Sequence, residues 1–429
     1  MHRFVLFCAH IACTALIVLL SLAFLQEHHA VGNGPCPCEL SISTSCIGDS
    51  NGDGVVDVTD ATYTLAFLFT GGPAPAANAQ GSGNPASALT QDQVDLLQEV
   101  LPHLSIEQLP DGVGGTNRTV RFTGVNLQLV NGLGATNGEP LDPYSVDTAV
   151  TAVNGLGNLI LGYEEASTAA TPSARVGSHN LSVGVGNSYT AYGGLVCGWL
   201  NRSTGAYTSV VGGGGNTAGG LASVTVGGAN NGSLGDRSVV CGGGQNSSLG
   251  DCSFVGGGDC NTTGWTGEHA AIIGGLENIV NGSHSLVAGG EDNWALARAS
   301  SVHGGNANTA DGVWATVSGG LSNLADELWA TVNGGVANHA NGFYSTISGG
   351  VQSDATGSYA SVFGGFRNES TGFVSTVVGG RESEASGDHA TATGFANHAA
   401  GESSNVSGGS SRTASGQFDW VAGALWQDQ

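Results

Sequence analysis

The sequence predicts a mainly β fold, a parallel solenoid of about 15-residue coils that follows a small, partly helical module near the N-terminus. Glycine makes up 73 of the 429 residues and, beyond residue 180, recurs at a nearly constant interval. The segments between these glycines alternate apolar and polar residues, the pattern of half-buried β-strands. Upstream, a loop of closely spaced oxygen-bearing side chains precedes a short apolar run.

Residues 1–30 have the pattern of a targeting segment. Arg3 is followed by the apolar stretch Phe4–Leu25, which is long enough to span a bilayer, since that takes about 20 residues. The pattern predicts either a cleaved signal peptide or a retained N-terminal anchor. In both cases we expect the remaining chain to be secreted or at the cell surface, with membrane contact only through this segment if it is uncleaved.

Seven cysteines follow this segment: Cys36, Cys38, Cys46, Cys197, Cys241, Cys252 and Cys260. The first three lie in a cysteine-containing linker, residues 31–46. Because the seven cysteines are odd in number, at least one is predicted to be free or to form an intermolecular bond. No second CxC or CxxC pair accompanies Cys36 and Cys38, so a zinc site is weakly indicated, and disulfides are the better expectation in an oxidising compartment.

A calcium loop is predicted directly after the linker. The loop runs from Asp49 to Asp60, with Gly54 at the sharp turn. Ca²⁺ takes six to eight oxygen ligands, and this spacing directs alternating side chains and one carbonyl into a single loop. An apolar helix is expected from Ala61 to Thr70. The predicted ligands are Asp49, Asn51, Asp53, the carbonyl of Val55, Asp57 and Asp60.

Asp at the last ligand position and the run Thr59–Phe69 resemble a dockerin calcium repeat. The resemblance implies a module over residues 47–104 that uses Ca²⁺ and docks to a cohesin. The second loop is degraded, because residues 78–88 contain no Asp or Glu. Its helix is still expected, opening with a capping box at Thr90 and Gln93. Its apolar face would be Val94, Leu97, Leu101 and Leu104. Residues 105–117 are expected to be a linker.

One glycine anchors each repeat of the remaining chain. Asn stands three residues after this anchor in 13 of 16 repeats, and most later repeats carry a β-branched residue three before it and Ala five after it. A fixed period with residue-specific slots predicts a solenoid and excludes a flexible low-complexity segment. The anchors are Gly184, Gly198, Gly213, Gly228, Gly243, Gly258, Gly275, Gly290, Gly305, Gly320, Gly335, Gly350, Gly365, Gly380, Gly394 and Gly409.

Each coil is expected to be a flattened pair of strands. Ala315–Gly320 alternates small or apolar residues with polar ones, and the two glycines then turn the chain toward a second short strand. Two turns in fifteen residues leave roughly four or five residues for each strand, which predicts a two-sheet roll. We expect an interior of Ala, Val and Gly, stacked Asn side chains bonded to each other and to backbone, and glycine wherever φ is positive. Sixteen coils would make a rod of roughly 75 Å.

Repeats such as Tyr359–Gly372 resemble the head repeats of trimeric autotransporter adhesins (YadA-like). The resemblance covers residues 118–429, and Val125–Gly132 and Asn154–Tyr163 are similar to the leading strands of such repeat proteins. It implies a left-handed parallel β-roll, a homotrimer formed through the roll, and a surface-binding function. No coiled-coil stalk or C-terminal membrane barrel follows the roll, so we do not expect self-transport, and any anchoring is expected from the N-terminal side.

Two rows of side chains recur on the grid. Trp314, Trp329, Tyr344 and Tyr359 occupy one slot of successive coils, as expected for structural stacking, a trimer seam or a sugar-stacking platform. Thr-x-Ser or Thr-x-Asn pairs recur in three coils, a feature of ice-binding solenoids. The pairs are Thr316 and Ser318, Thr331 and Asn333, and Thr346 and Ser348.

The charge pattern excludes several functions. The net charge is −24 and all ten basic residues are Arg, so neither nucleic-acid binding nor a lysine-dependent P-loop or Schiff base is expected. The histidines of the roll are scattered over different slots without fixed carboxylate partners, and no nucleophile motif is present. We expect a non-enzymatic, adhesin-like structural or binding protein with a possible surface glycan or matrix ligand. The alternatives are an assembly component docked to a cohesin or matrix partner, and a carbohydrate-active β-solenoid.

Overall fold

The computed structural model describes residues 91–163, 165 and 174–422. The chain divides into two compact units between Val125 and Asn126, and each unit is described by itself. The predicted targeting segment, the cysteine linker, the calcium loop and the helix after it lie outside the described residues. Within the described ranges, no helix is both long and apolar enough to cross a membrane.

The first unit contains one helix and one β-hairpin in its described part. Helix α1 spans Gln91–Val100 and is followed by a 3-10 turn, Leu101–His103. Strand β1, Leu104–Pro110, pairs antiparallel with strand β2, Thr116–Phe122. A partly exposed ion pair of 3.0 Å between Glu107 and Arg121 links the two strands.

The helix is shorter than its apolar spacing predicted. Leu104 was expected on its apolar face, but the helix ends at Val100 and Leu104 begins β1. Pro102 has no N–H group and cannot continue an α-helix, so the chain leaves the helical path there. Residues 105–117, expected to be a linker, instead form the rest of β1, the turn after it and the first two residues of β2. The parallel ladder begins at Leu159 instead of residue 118.

The second unit is built from two parallel sheets whose strands alternate along the chain. Each strand of the first, sheet A, pairs with those of the preceding and following coils, as Thr331 does with Thr316 and Thr346. In the described residues sheet A has eighteen strands: Leu159–Leu161, Leu181–Val185, Leu195–Trp199, Ser209–Gly214, Val224–Val226, Val239–Val240, Phe254–Val255, Ala271–Ile272, Leu286–Val287, Ser301–Val302, Thr316–Val317, Thr331–Val332, Thr346–Ile347, Ser361–Val362, Thr376–Val377, Thr391–Phe395, Asn405–Ser410 and Trp420–Val421.

Each strand of the second sheet, sheet B, begins four residues after an anchor glycine. Its pairing is also parallel and in register, so His339 lies between Leu324 and Asp354. The described residues contain sixteen strands of sheet B: Ser188–Tyr189, Arg202–Ser203, Thr217–Ala218, Gly232–Ser233, Ser247–Ser248, Thr262–Thr263, Ile279–Val280, Trp294–Ala295, Thr309–Ala310, Leu324–Ala325, His339–Ala340, Asp354–Ala355, Glu369–Ser370, Glu384–Ala385, His398–Ala399 and Thr413–Ala414.

These ladders confirm a mainly β, parallel solenoid with coils of about 15 residues. Most strands contain two residues, fewer than the four or five predicted. A third column of single-residue bridges joins the residues directly after the anchor glycines, such as Leu321 and Val336. The strands are short because each coil also contains residues with left-handed backbone, such as Trp314 and Ser322, which break the extended conformation.

Only one of the two predicted leading segments contains a strand. Within Asn154–Tyr163, Leu159–Leu161 pairs with the first full coil. Val125–Gly132 forms no strand, although the whole segment is described. One physical reason is that its backbone bonds to side chains instead of a neighbouring strand: the N–H of Asn131 donates to Nε2 of His179 at 3.2 Å.

The interior combines apolar and polar side chains. Val317 from sheet A and Ala325 from sheet B are fully buried, as expected for an interior of Val and Ala. Ser345 and Asn323 are also buried. Most interior serines and asparagines bond to backbone or to one another, so the cost of burying their polar atoms is offset.

The inward asparagines form what we call the amide ladder. Asn323 shows its pattern: its backbone N–H donates to Oδ1 of Asn308 at 3.0 Å. Its Nδ2 donates to the carbonyls of Gly319 at 2.9 Å and of Gly335 at 3.0 Å. Its Oδ1 accepts the backbone N–H of Asn338 at 3.1 Å. One side chain therefore joins three successive coils, which confirms the predicted bonding of stacked asparagines.

Glycine is required for two different reasons. At Gly320 φ is +94°, and a Cβ there would meet the carbonyl oxygen of Gly335 in the next coil. Gly357 has no left-handed backbone, yet a Cβ there would meet the carbonyl of Gly372. The prediction that glycine marks positive φ holds at Gly320, but the close approach of coils requires glycine elsewhere. Residues such as Trp314, with φ of +61°, show that other residues also occupy left-handed positions.

Candidate binding surface

An exposed row of stacked rings runs along one edge of the solenoid. We call it the aromatic ladder; it consists of Trp314, Trp329, Tyr344 and Tyr359, each nine residues after an anchor glycine. All four have left-handed backbone, with φ between 56° and 61°. A left-handed L-residue costs roughly 1–2 kcal/mol. Part of that cost is offset because the N–H of Trp329 donates to the carbonyl of Val313 at 3.0 Å.

The rings of the ladder stack face to face. The centroids of Trp314 and Trp329 are 5.1 Å apart with 6° between the ring planes. Trp329 and Tyr344 are 5.9 Å apart at 13°, and Tyr344 and Tyr359 are 5.2 Å apart at 6°. These distances lie within the 4.5–7 Å range of favourable aromatic pairs, so the prediction that this slot stacks is confirmed.

A second column of side chains lies beside the ladder. The ring of Phe343 meets those of Tyr344 and Tyr359 edge-on, with centroids 4.6 Å and 5.9 Å away. Phe373 meets Tyr359 in the same way at 5.9 Å. The two columns form a continuous surface that we call the aromatic strip, whose members are 37–46% exposed. They are Val313, Trp314, Trp329, Phe343, Tyr344, Tyr359, Phe373 and Val374.

The strip can bind a partner through ring edges more readily than through ring faces. Each inner ring, Trp329 and Tyr344, has both faces covered by its neighbours in the ladder. Stacking a sugar on an aromatic ring requires a free face, and within the ladder only the outer face of Trp314 lacks an aromatic neighbour among the described residues. A sugar platform along the whole ladder is therefore not what this geometry favours. A contiguous exposed apolar surface of this kind is typical of interaction sites.

Sheet B carries a row of ionisable side chains that the sequence reasoning missed. His339, Asp354, Glu369, Glu384 and His398 lie in register on successive strands. The expectation that the histidines lack carboxylate partners is wrong for two of these residues, as the following contacts show. The 15-residue grid would have found the row had it been applied to the slot four residues after the anchors.

His339 bridges two carboxylates. Its Nε2 lies 2.9 Å from Oδ2 of Asp326, and its Nδ1 lies 3.9 Å from Oδ1 of Asp354. Partial burial raises the pKa of Asp354 above its ordinary value of 3.8, and the nearby His339 opposes this effect. The protonated carboxyl of Asp354 is therefore easier to form in the folded chain than in the unfolded one.

His398 contacts a hydroxyl and a carboxylate through a single nitrogen. Its Nε2 is 2.6 Å from Oγ of Ser386 and 3.5 Å from Oε1 of Glu384. A Ser-His-acid relay needs the carboxylate on the opposite ring nitrogen, where it orients the imidazole. This geometry therefore does not form such a relay.

The six residues of the predicted calcium site lie outside the described residues: Asp49, Asn51, Asp53, Val55, Asp57 and Asp60. Within residues 91–163, 165 and 174–422, no group of three or more His, Cys, Asp or Glu side chains is arranged to hold a metal ion. Cys197, Cys241, Cys252 and Cys260 are free thiols.

The threonine rows lie where the grid placed them. Thr316, Thr331 and Thr346 are stacked in register on sheet A. These threonines are half-buried, whereas Ser318 and Asn333, two residues further along, are exposed. The outward face of sheet A therefore presents more serine and asparagine than threonine in these coils.

No protein-family profile matches the chain, and a search of curated proteins found no similar sequence.

Proposed function

We propose that this chain is a secreted or cell-surface, non-enzymatic, adhesin-like protein that presents the aromatic strip to a binding partner. The observation that carries the proposal is the strip itself, because an in-register solenoid holds eight exposed apolar side chains in two adjacent columns. Long-range ordering of this kind pre-organises a surface and lowers the entropic cost of binding. The apolar segment Phe4–Leu25 supports an extracytoplasmic location.

The proposal includes a left-handed, YadA-like β-roll that assembles as a homotrimer. Support comes from the repeat pattern and from exposed apolar side chains on the outward face of sheet A, two residues before the anchor glycine. We assign trimer contacts to this face and partner binding to the aromatic strip. The exposed residues on this face are Val211, Val226, Ile273, Phe363 and Val378.

Adhesion and assembly can be separated with two variants of the full chain. Trp329→Ala with Tyr344→Ala is expected to weaken binding to immobilised glycans or matrix proteins at least tenfold without changing the sedimenting mass. Ile273→Ser with Phe363→Ser is expected to lower the mass from trimer toward monomer. Glu369→Gln on sheet B is the control for both. Loss of mass in the strip variant would make the strip a trimer seam, and unchanged binding in that variant would refute the proposed role of the strip.

We also propose that the N-terminal module binds one Ca²⁺ through Asp49, Asn51, Asp53, Val55, Asp57 and Asp60. The spacing of these oxygen ligands and the glycine at the turn support it. Calorimetric titration of the full chain with Ca²⁺ should give a stoichiometry of one. Asp53→Asn should abolish that binding, whereas Asp95→Asn, in helix α1, should leave it intact.

The second candidate is an assembly component that docks to a cohesin or matrix partner through the dockerin-like module. The intact loop and the run Thr59–Phe69 favour it. Titration of the full chain against a panel of cohesins with and without Ca²⁺ tests this function. Calcium-dependent capture that survives the strip variant supports docking, and the absence of capture at every calcium concentration refutes it.

A further inference from the structure

The aromatic ladder has an open position at Ala299. The position in each coil that corresponds to the ladder is occupied by His269 and His284 in the two coils before Ala299, and by Trp314 in the coil after it. The rings of His269 and His284 stack with centroids 4.9 Å apart, and those of Trp314 and Trp329 with centroids 5.1 Å apart. Ala299 between them has the same left-handed backbone, with φ of +57°, but no ring.

The space left at Ala299 matches one aromatic ring. Successive coils are about 4.8 Å apart, so the rings of His284 and Trp314 are separated by roughly 10 Å. A ring placed between them would lie about 5 Å from each, inside the 4.5–7 Å range of favourable aromatic pairs. A concave site of about 300 Å³ is present there, lined by His284, Arg298, Ala299 and Trp314. We call it the Ala299 gap.

A second interruption of the ladder, at Val374, is closed by the protein itself. There the neighbouring column supplies Phe373, whose ring meets Tyr359 at 5.9 Å and His389 at 5.6 Å. At the Ala299 gap the neighbouring column supplies Arg298 instead. An aromatic side chain therefore closes the interruption at Val374, whereas at Ala299 only the guanidinium of Arg298 reaches over the neighbouring ring of Trp314.

Arg298 gives the gap a positive charge. Its guanidinium carbon lies over the Trp314 ring on the side of the gap, 5.9 Å from the ring centroid and at the limit of a cation–π contact. A ring that enters the gap therefore takes the place of the guanidinium over Trp314 and leaves it at the rim. Its side chain is exposed, and it forms no ion pair with any described residue. Because a guanidinium pairs strongly with a carboxylate, an anionic group attached to the inserted ring would be held at the rim.

We propose that the Ala299 gap is a binding site for a small planar aromatic acid. The ring stacks between His284 and Trp314, and the carboxylate pairs with Arg298. The site is independent of adhesion through the strip, because its ligand would be a free small molecule and only Trp314 of its four lining residues belongs to the strip.

Ligand-observed NMR titrations of the full chain test the proposal with three probes. Indole-3-acetate carries both the ring and the carboxylate, indole only the ring, and acetate only the carboxylate. We expect indole-3-acetate to bind most tightly, with its ring protons shifted upfield by the flanking rings. Indole should bind about tenfold more weakly, because it lacks the carboxylate that pairs with Arg298, and acetate, which lacks the ring, should not bind measurably. Equal binding of acetate and indole-3-acetate, or no binding of indole-3-acetate, overturns the proposal.

Two variants locate the site. Ala299→Trp fills the gap and should abolish binding of both indole probes. The slot accepts this residue, because Trp314 and Trp329 have the same backbone there, and circular dichroism checks the fold. Arg298→Gln should weaken indole-3-acetate about tenfold and leave indole unchanged. Arg367→Gln is the matched control, since Arg367 is exposed and lies over a different ring, Phe366. Binding that persists in Ala299→Trp, or an equal loss in Arg367→Gln, refutes this location.

Discussion

Two ladders of like side chains run along the solenoid with the same period but in opposite environments. In the amide ladder, Asn323 is buried and bonds to the coils on both sides. In the aromatic ladder, Trp329 is exposed and only stacks on its neighbours. The slot three residues after the anchor glycine holds Asn or Ser in every repeat except the last, where Arg412 stands. The slot of the aromatic ladder holds Ala, Arg, Cys, His, Phe, Ser, Trp, Tyr and Val in different coils. At the same spacing between coils, the hydrogen bonds of the buried position therefore restrict which residues can occupy it, whereas the exposed position accepts many residue types.

The largest expected effect comes from removing one rung of the amide ladder. Asn323→Ala leaves the N–H of Asn338 and the carbonyls of Gly319 and Gly335 without their side-chain partner. An unsatisfied buried polar group costs about 1–3 kcal/mol, so the free energy of unfolding should fall by roughly 3 kcal/mol or more in urea denaturation. Asn333→Ala, at an exposed position on sheet A, is the control and should change it by less than about 0.5 kcal/mol. Similar losses in both variants would contradict the contrast between the ladders.

A smaller effect is expected from the outer ladder. Trp329→Ala removes two stacked pairs, with Trp314 and with Tyr344, each worth about 0.5–1.5 kcal/mol. Thermal and urea unfolding should show a loss of about 1–2 kcal/mol. Trp265→Ala is the matched control, since Trp265 is exposed and makes no ring contact with a described residue. A loss as large as that of Asn323→Ala would mean that the outer ladder also determines the fold.

The smallest effect is expected in the ionisable row of sheet B. The pKa of Asp354 is raised above 3.8 in the folded chain. The stability that this shift contributes is therefore fully present below pH 3.8 and is lost as the pH rises through the pKa of the folded state. Asp354→Asn removes this dependence and the repulsion from Glu369, and should raise the Tm slightly at pH 7. That gain should shrink as the pH falls toward 3.8. Asp311→Asn removes the same charge from an exposed turn. An equal pH-dependent gain in that control would show that net charge, not the row, is responsible.

The repeat grid predicted most of the second unit because solenoid coils repeat their contacts. Asn three residues after the anchor glycines predicted the amide ladder, which the structure confirms. The aromatic residues nine after the anchors, from Trp314 to Tyr359, predicted the ring stack, which is also confirmed. The first unit was predicted less well, since helical spacing through Leu104 did not account for Pro102. The Ala299 gap was not predicted, because an alanine between aromatic slots has no distinctive pattern in sequence.

The sequence by itself determined the period, the parallel pairing and the identity of the inward residues, because each slot repeats the same local chemistry in every coil. Only the tertiary structure decided which interruptions of the outer ladder stay open, since that depends on whether a neighbouring column supplies Phe373 or Arg298. It also decided why glycine recurs: at Gly357 the reason is the carbonyl of the next coil, a contact that exists only after the coils have stacked.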